Sequence, residues 1–175
     1  KVNELGYDAW GFNPEQAKLL FSLGKRIFNY FHPQITGIEN LPEGRVLVVP
    51  NHAGQLPFDG VVVAQAMLLR GQPPRMARTM AERFFPTVPI VNEAFSRAGV
   101  VVGDPVNCRN LLNDDQAILV FPEGARGSGK VFQKRYKLVR FGRGFMRLAL
   151  QTKTPIVPVS VVGSEESIIS VYDAK

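Results

Sequence analysis

Three almost wholly apolar runs constrain this chain more than anything else in it. They are Val46-Leu47-Val48-Val49, Ala117-Ile118-Leu119-Val120-Phe121 and Ile156-Val157-Pro158-Val159-Ser160-Val161-Val162. A strand that is apolar at nearly every position has no wet face, so it belongs in a sheet covered on both sides, as parallel sheets are. All three are therefore read as buried strands, with Pro50 ending the first because it has no N–H to give a central ladder. Between the runs lie stretches of helical periodicity. That alternation predicts an α/β fold: a mainly parallel sheet flanked by helices.

Helices are expected at Pro14–Phe31, from Pro57 through Leu69, over Val88–Ala98, from the Asp104-Pro105 cap to Leu112, and over Arg143–Gln151. Arg75–Met80 and Val100–Val102 are further strands. Phe84-Phe85-Pro86 is an apolar loop, suited to the core or to a membrane-facing or acyl-binding edge. In the first helix, Ala17, Leu20, Phe21, Gly24, Ile27, Phe28 and Phe31 recur at helical spacing opposite Lys18, Ser22, Lys25 and Asn29. Leu19, Leu23 and Tyr30 widen the apolar side beyond one packing face. Such a helix covers a sheet or lies in a membrane interface, and its pattern serves both.

The 175 residues suffice for a proper core. One cysteine, Cys108, excludes an intrachain disulfide, and with two histidines no His/Cys metal cluster is expected. A net charge of +6 favours an anionic partner without choosing among phospholipid headgroups, nucleotides and nucleic acid. No apolar run is long enough to cross a bilayer as a helix. The chain opens on Lys1, not Met, and is expected to be part of something longer.

Chemistry concentrates in the loops after the first two apolar runs. Asn51-His52 follow Pro50 at the carboxyl end of the first strand, where open α/β sheets place ligands. Asp59 falls in the first turn of the next helix, facing back toward that loop. A neutral imidazole can take a proton from a hydroxyl, and a carboxylate on its other nitrogen fixes the tautomer. After the second run, Pro122-Glu123-Gly124-Ala125-Arg126-Gly127 opens on the same sheet edge. There glycines allow close approach, Arg126 offers a fork for phosphate or carboxylate, and Glu123 is placed to pair with Arg126 or contact a substrate hydroxyl. Gly124 through Lys130 also has phosphate-loop spacing, but Val131 stands where a magnesium-ligating hydroxyl belongs, and no later strand ends in a metal-holding acid. A nucleotide-binding protein is thus a lesser alternative, and a non-catalytic basic lipid-binding module is another.

Together these residues resemble the glycerolipid (lysophospholipid) acyltransferase family, the 1-acylglycerol-3-phosphate acyltransferases among them. The resemblance rests on Asn51-His52 with Asp59, on Phe121-Pro122-Glu123-Gly124-Ala125-Arg126-Gly127, and on Pro155-Ile156-Val157-Pro158-Val159. It implies an enzyme bound to one membrane leaflet, at the cytoplasmic face. That enzyme would move a fatty acyl group from an acyl-CoA or acyl-carrier-protein thioester to a hydroxyl of a lysophospholipid or other glycerolipid. It further implies His52 as general base with Asp59 as partner, and Glu123, Gly124 and Arg126 at the acceptor or phosphate site. Pro158 would belong to an apolar wall; no metal, no other cofactor and no nucleic acid are expected. Residues 1–44 form the amphipathic helix and its connection, and 45–175 the acyltransferase domain, expected to be C-terminally incomplete. Two departures stand out. Six residues separate His52 from Asp59 where the family has four, so the loop must bulge at Gly54 and Pro57. Gly99-Val100-Val101-Val102-Gly103-Asp104 also lacks the arginine that family members carry there for the acceptor's phosphate; Arg109 and the basic 134–147 segment are the substitutes at hand.

Overall fold

In the computed structural model, residues 2–83, 87 and 89–171 are described. Six α-helices and five strands follow one another along the described chain: α1 (Pro14–Phe31), β1 (Val46–Pro50), α2 (Phe58–Arg70), β2 (Ala77–Ala81), α3 (Val91–Arg97), β3 (Val101–Val102), α4 (Pro105–Asn113), β4 (Ala117–Leu119), α5 (Ala125–Ser128), α6 (Gly144–Thr152) and β5 (Ile156–Val159). The strands form one parallel sheet in the order β3-β2-β4-β1-β5. The expected Phe84-Phe85-Pro86 loop and the start of the helix expected from Val88 lie outside the described residues.

β1 lies inside the sheet between β4 and β5, and all five of its residues are buried. Its side chains alternate between the two faces. Leu47 and Val49 join Leu111, Leu112, Ile118 and Leu148 on one side, while Val46 and Val48 join Val63, Met67, Ala117 and Leu119 on the other. A strand sandwiched this way needs apolar residues at odd and even positions alike, which is what its composition supplies. Each such side chain, fully buried, contributes roughly 1.5–3 kcal/mol.

The last run behaves differently. β5 stops at Val159, alternates between exposed and half-buried positions, and leaves Ile156 and Pro158 exposed. The expectation of a buried strand over Ile156–Val162 is corrected here: among the described residues β5 pairs with β1 alone and forms the sheet edge, so apolar composition does not bury it.

Asn13 caps α1, its side-chain oxygen accepting from the amides of Glu15 and Gln16 at 3.1 Å each. Ala17, Gly24 and Phe28 form the buried face, and Gly24 lets α1 close on Gln65 of α2. Arg78 of β2 anchors the preceding segment, pairing with Asp8 and lying 4.9 Å from the Phe12 ring centroid. Leu19, Leu23 and Tyr30 point away from all of this and stay 78%, 51% and 79% exposed.

Leu111 is fully buried at the centre of the α4 face. Leu111→Ala should destabilise the protein by about 2–5 kcal/mol, read as a lowered urea midpoint with an unchanged slope.

Candidate active site

The site forms where the chain leaves β1 and β4, whose parallel pairing carries both following loops to one sheet edge. Past Pro50, Asn51 continues the pairing with its side chain. Its Nδ2 donates to the Val161 carbonyl at 2.9 Å, and the Val161 amide donates to its Oδ1 at 2.7 Å.

His52 comes next, with its ring mostly covered and Nδ1 2.6 Å from Oδ2 of Asp59. An ionised carboxylate only accepts, so Nδ1 carries the proton and Nε2 is the basic nitrogen. Asp59 is fully buried, and the site's own backbone satisfies it: the Ala53 amide donates to Oδ2 at 2.9 Å and the Gly60 amide to Oδ1 at 2.7 Å. Its place in the first turn of α2 adds the positive end of the helix dipole. The bulge expected of the six-residue spacing is present. Gly54 adopts φ +85° against Ser164, whose hydroxyl donates to the Ala53 carbonyl at 2.9 Å. Phe121 packs its ring 4.3 Å from the imidazole.

The second loop meets the first from the β4 side. Gly127 is the point of closest approach: a Cβ there would lie 2.6 Å from Cβ of Glu123 and 2.8 Å from Cβ of His52. Gly124 also takes a positive φ, of 60°, and admits Glu82, whose Oε1 accepts from the Ala125 amide at 3.0 Å. Arg126 is exposed on the single turn α5 and makes no ion pair among the described residues, so its guanidinium remains available to a ligand.

Glu123 does not pair with Arg126. It points inward, buried, with Oε1 accepting from the His52 amide and Oε2 from the Val139 amide, each at 2.9 Å. The carboxylate therefore braces the His52 loop from behind, and a hydroxyl arriving from solvent does not reach it. The phosphate-loop alternative meets a similar obstacle. Lys130, the residue that would hold phosphate, is packed between Glu123 and Glu165, while the amides of Gly124, Ala125 and Gly127 already donate to Phe121, Glu82 and Gly124. Neither the amide cradle nor the lysine is free for a triphosphate.

Cys108 is buried in the α4 face, and burial, with Asp104 nearby, pushes its thiol up to about 11, so it stays protonated and is no nucleophile at neutral pH. Among the described residues, no group of three or more His, Cys, Asp or Glu is placed to hold a metal ion. Beside the His52 loop runs an open groove of roughly 580 Å³ lined by Ile27, Tyr30, Phe31, Phe58, Glu166 and Ser167. Sequence reasoning missed the Asn51 clamp, the Glu82 cap and the inward role of Lys130. Only the first carried a signal, an amide side chain immediately after a strand-ending proline.

A sequence model of the family described as Acyltransferase matches residues 32–162. An uncharacterized protein of Mycobacterium tuberculosis is 40% identical over 178 residues, covering 99% of this chain and 50% of that protein. A Gallus gallus protein described as a DGAT1/2-independent enzyme synthesizing storage lipids is 25% identical over 163 residues, or 92% of this chain and 47% of its own. The chain thus spans about half the length of these curated relatives. Its fold matches the crystal structure of the 1-acyl-sn-glycerophosphate acyltransferase PlsC of Thermotoga maritima with TM-score 0.65 at 23% identity, covering 89% of this chain and 61% of that one.

Since a methyl group at Gly127 has nowhere to go between Glu123 and His52, Gly127→Ala should lower stability by about 1–3 kcal/mol. Thermal denaturation checks this, and Gly144→Ala, where a Cβ would meet nothing within 4 Å, is its control.

Proposed function

This chain belongs to the acyltransferase family, and from that premise we propose that it moves a fatty acyl group from a thioester to a glycerolipid hydroxyl. The 2.6 Å contact between His52 and Asp59, in a wall closed by Phe121 and Gly127, carries the proposal. Nε2 of His52 takes the acceptor's hydroxyl proton as the oxygen attacks the thioester carbonyl. Buried Asp59 stabilises the imidazolium that forms. The tetrahedral intermediate then expels the thiolate of coenzyme A or carrier protein, and the imidazolium returns the proton to it. A thioester is already activated, so a positioned base suffices without a covalent acyl-enzyme; such a base contributes roughly 10²–10⁴-fold.

Arg126 is the exposed cation nearest in sequence to the catalytic wall, and on this reading it meets the acceptor's polar end together with Gly124. The missing arginine between Gly99 and Asp104 supports a neutral acceptor. The aromatic groove beside the His52 loop has room for part of a fatty chain.

We further propose that the protein docks on a membrane surface through α1. Leu19, Leu23 and Tyr30, four and seven residues apart, form one stripe opposite the buried face, with exposed Arg26 among them. An apolar stripe edged by cations suits a bilayer interface rich in anionic lipid. Among the described residues, no helix is long and apolar enough to cross a membrane.

His52→Ala should lower kcat/KM for acyl transfer by about 10³-fold while far-UV circular dichroism stays unchanged. Mass spectrometry of the lipids formed from acyl-CoA and mixed glycerolipid acceptors reads this, and near-normal turnover would remove the mechanism. Asp59→Asn should cost a similar factor through the lost tautomer control. Replacing Leu19, Leu23 and Tyr30 together by serine should weaken co-flotation with anionic liposomes by about tenfold or more, since each buried apolar side chain contributes roughly 1.5–3 kcal/mol. Unchanged flotation would place the docking surface elsewhere.

A further inference from the structure

We infer that Lys130 is a positioning residue of this site: its buried ammonium keeps the Glu123 carboxylate on the His52 amide and clamps residues 130–139 across the back of the catalytic loop. The inference rests on the reading of His52 as the base. Lys130, Glu123 and Glu165 expose only 4%, 0% and 6% of their side chains, and the ammonium lies 3.7 Å from both Oε2 of Glu123 and Oε1 of Glu165. It also donates to the Lys137 carbonyl at 2.9 Å. A lysine serving only solubility would be in water, and one serving a ligand would face the cleft.

The carboxylates it joins hold four separate stretches together. Glu123, after β4, receives the amides of His52 and Val139. Glu165, after β5, receives the Tyr136 amide at 3.2 Å on Oε1, while its buried Oε2 has no hydrogen-bond partner among the described residues. Gln55, in the catalytic loop itself, donates to the Lys130 carbonyl at 3.2 Å. Two buried carboxylates and one ammonium leave a single net negative charge spread over backbone donors. Without the ammonium, two uncompensated charges would face each other in a dry interior, and one or both would have to leave. If Glu123 leaves, the His52 amide loses its acceptor and the ring loses its fixed relation to Asp59 and to the Gly127 wall.

Charge balance is decisive here, and a double variant tests it directly. Lys130→Met leaves two carboxylates with no cation. Lys130→Met combined with Glu165→Gln restores the original net charge of one, with Glu123 still on its two amides. Hydrogen–deuterium exchange is measured on peptides covering His52 and residues 131–139, and acyl transfer with palmitoyl-CoA and a monoacylglycerol acceptor. In Lys130→Met, exchange at the His52, Tyr136 and Val139 amides should rise about tenfold or more. Its kcat should fall about 10–100-fold with KM for palmitoyl-CoA nearly unchanged, the mark of a misplaced base rather than lost binding. The double variant should regain the protection at His52 and Val139 and most of kcat. Wild-type exchange in Lys130→Met would overturn the inference. So would a double variant that stays as exposed as the single one or does not fold. Exchange is read without turnover, so absence of transfer by the unmodified protein would count against the proposed reaction and leave the exchange arm to decide the role of Lys130.

Discussion

Two buried carboxylates hold the loop that carries His52, and the rest of the site follows from how they are satisfied. Asp59 takes the imidazole and the Ala53 amide from one side, and Glu123 takes the His52 amide from the other. Removing one partner of a buried charge costs about 3–5 kcal/mol, comparable to a large part of a domain's net stability. Loop conformation and carboxylate placement therefore require each other. The imidazole is preorganised because unfolding its loop would strand two charges in the interior.

That arrangement is possible only because β1 and β4 are neighbours and parallel. Parallel strands end on the same edge, so the loops after them meet there whatever their separation in the chain. β5, on the other side of β1, adds a third contributor: Val161 clamps Asn51, and Ser164 supports the bulge at Gly54. The site is thus a seam of three post-strand loops. Its glycines are placed where the seam is tightest, and Gly127 brings the second loop against His52.

The outer surface of the molecule divides along chemical lines. One side of α1 sinks Phe28, Ala17 and Gly24 toward α2, and the other presents leucines and a tyrosine to solvent. The same helix that closes the fold thus also offers an apolar stripe. Its C-terminal aromatic residues line a groove shared with Phe58, and the Phe31 ring lies 5.6 Å from that of Phe58, tilted against it, just ahead of Asp59.

Local chemistry determined much of this in the sequence alone. Asn13-Pro14 and Asp104-Pro105 start helices because a cap oxygen and a fixed φ act within a few residues. Val46 to Val49 had to be a doubly covered strand because both parities are apolar, and the pairing of His52 with Asp59 was legible because strand end and helix start lie seven residues apart. Tertiary structure decided the remainder. Apolar Ile156 and Pro158 ended half in water because a strand's place in the sheet order is not written in its own residues. Glu123 turned inward rather than toward Arg126, and Lys130 became the counter-charge of two carboxylates instead of a phosphate ligand. A side chain's partner among residues tens of positions away is chosen by packing and desolvation, which exist only once the sheet has assembled.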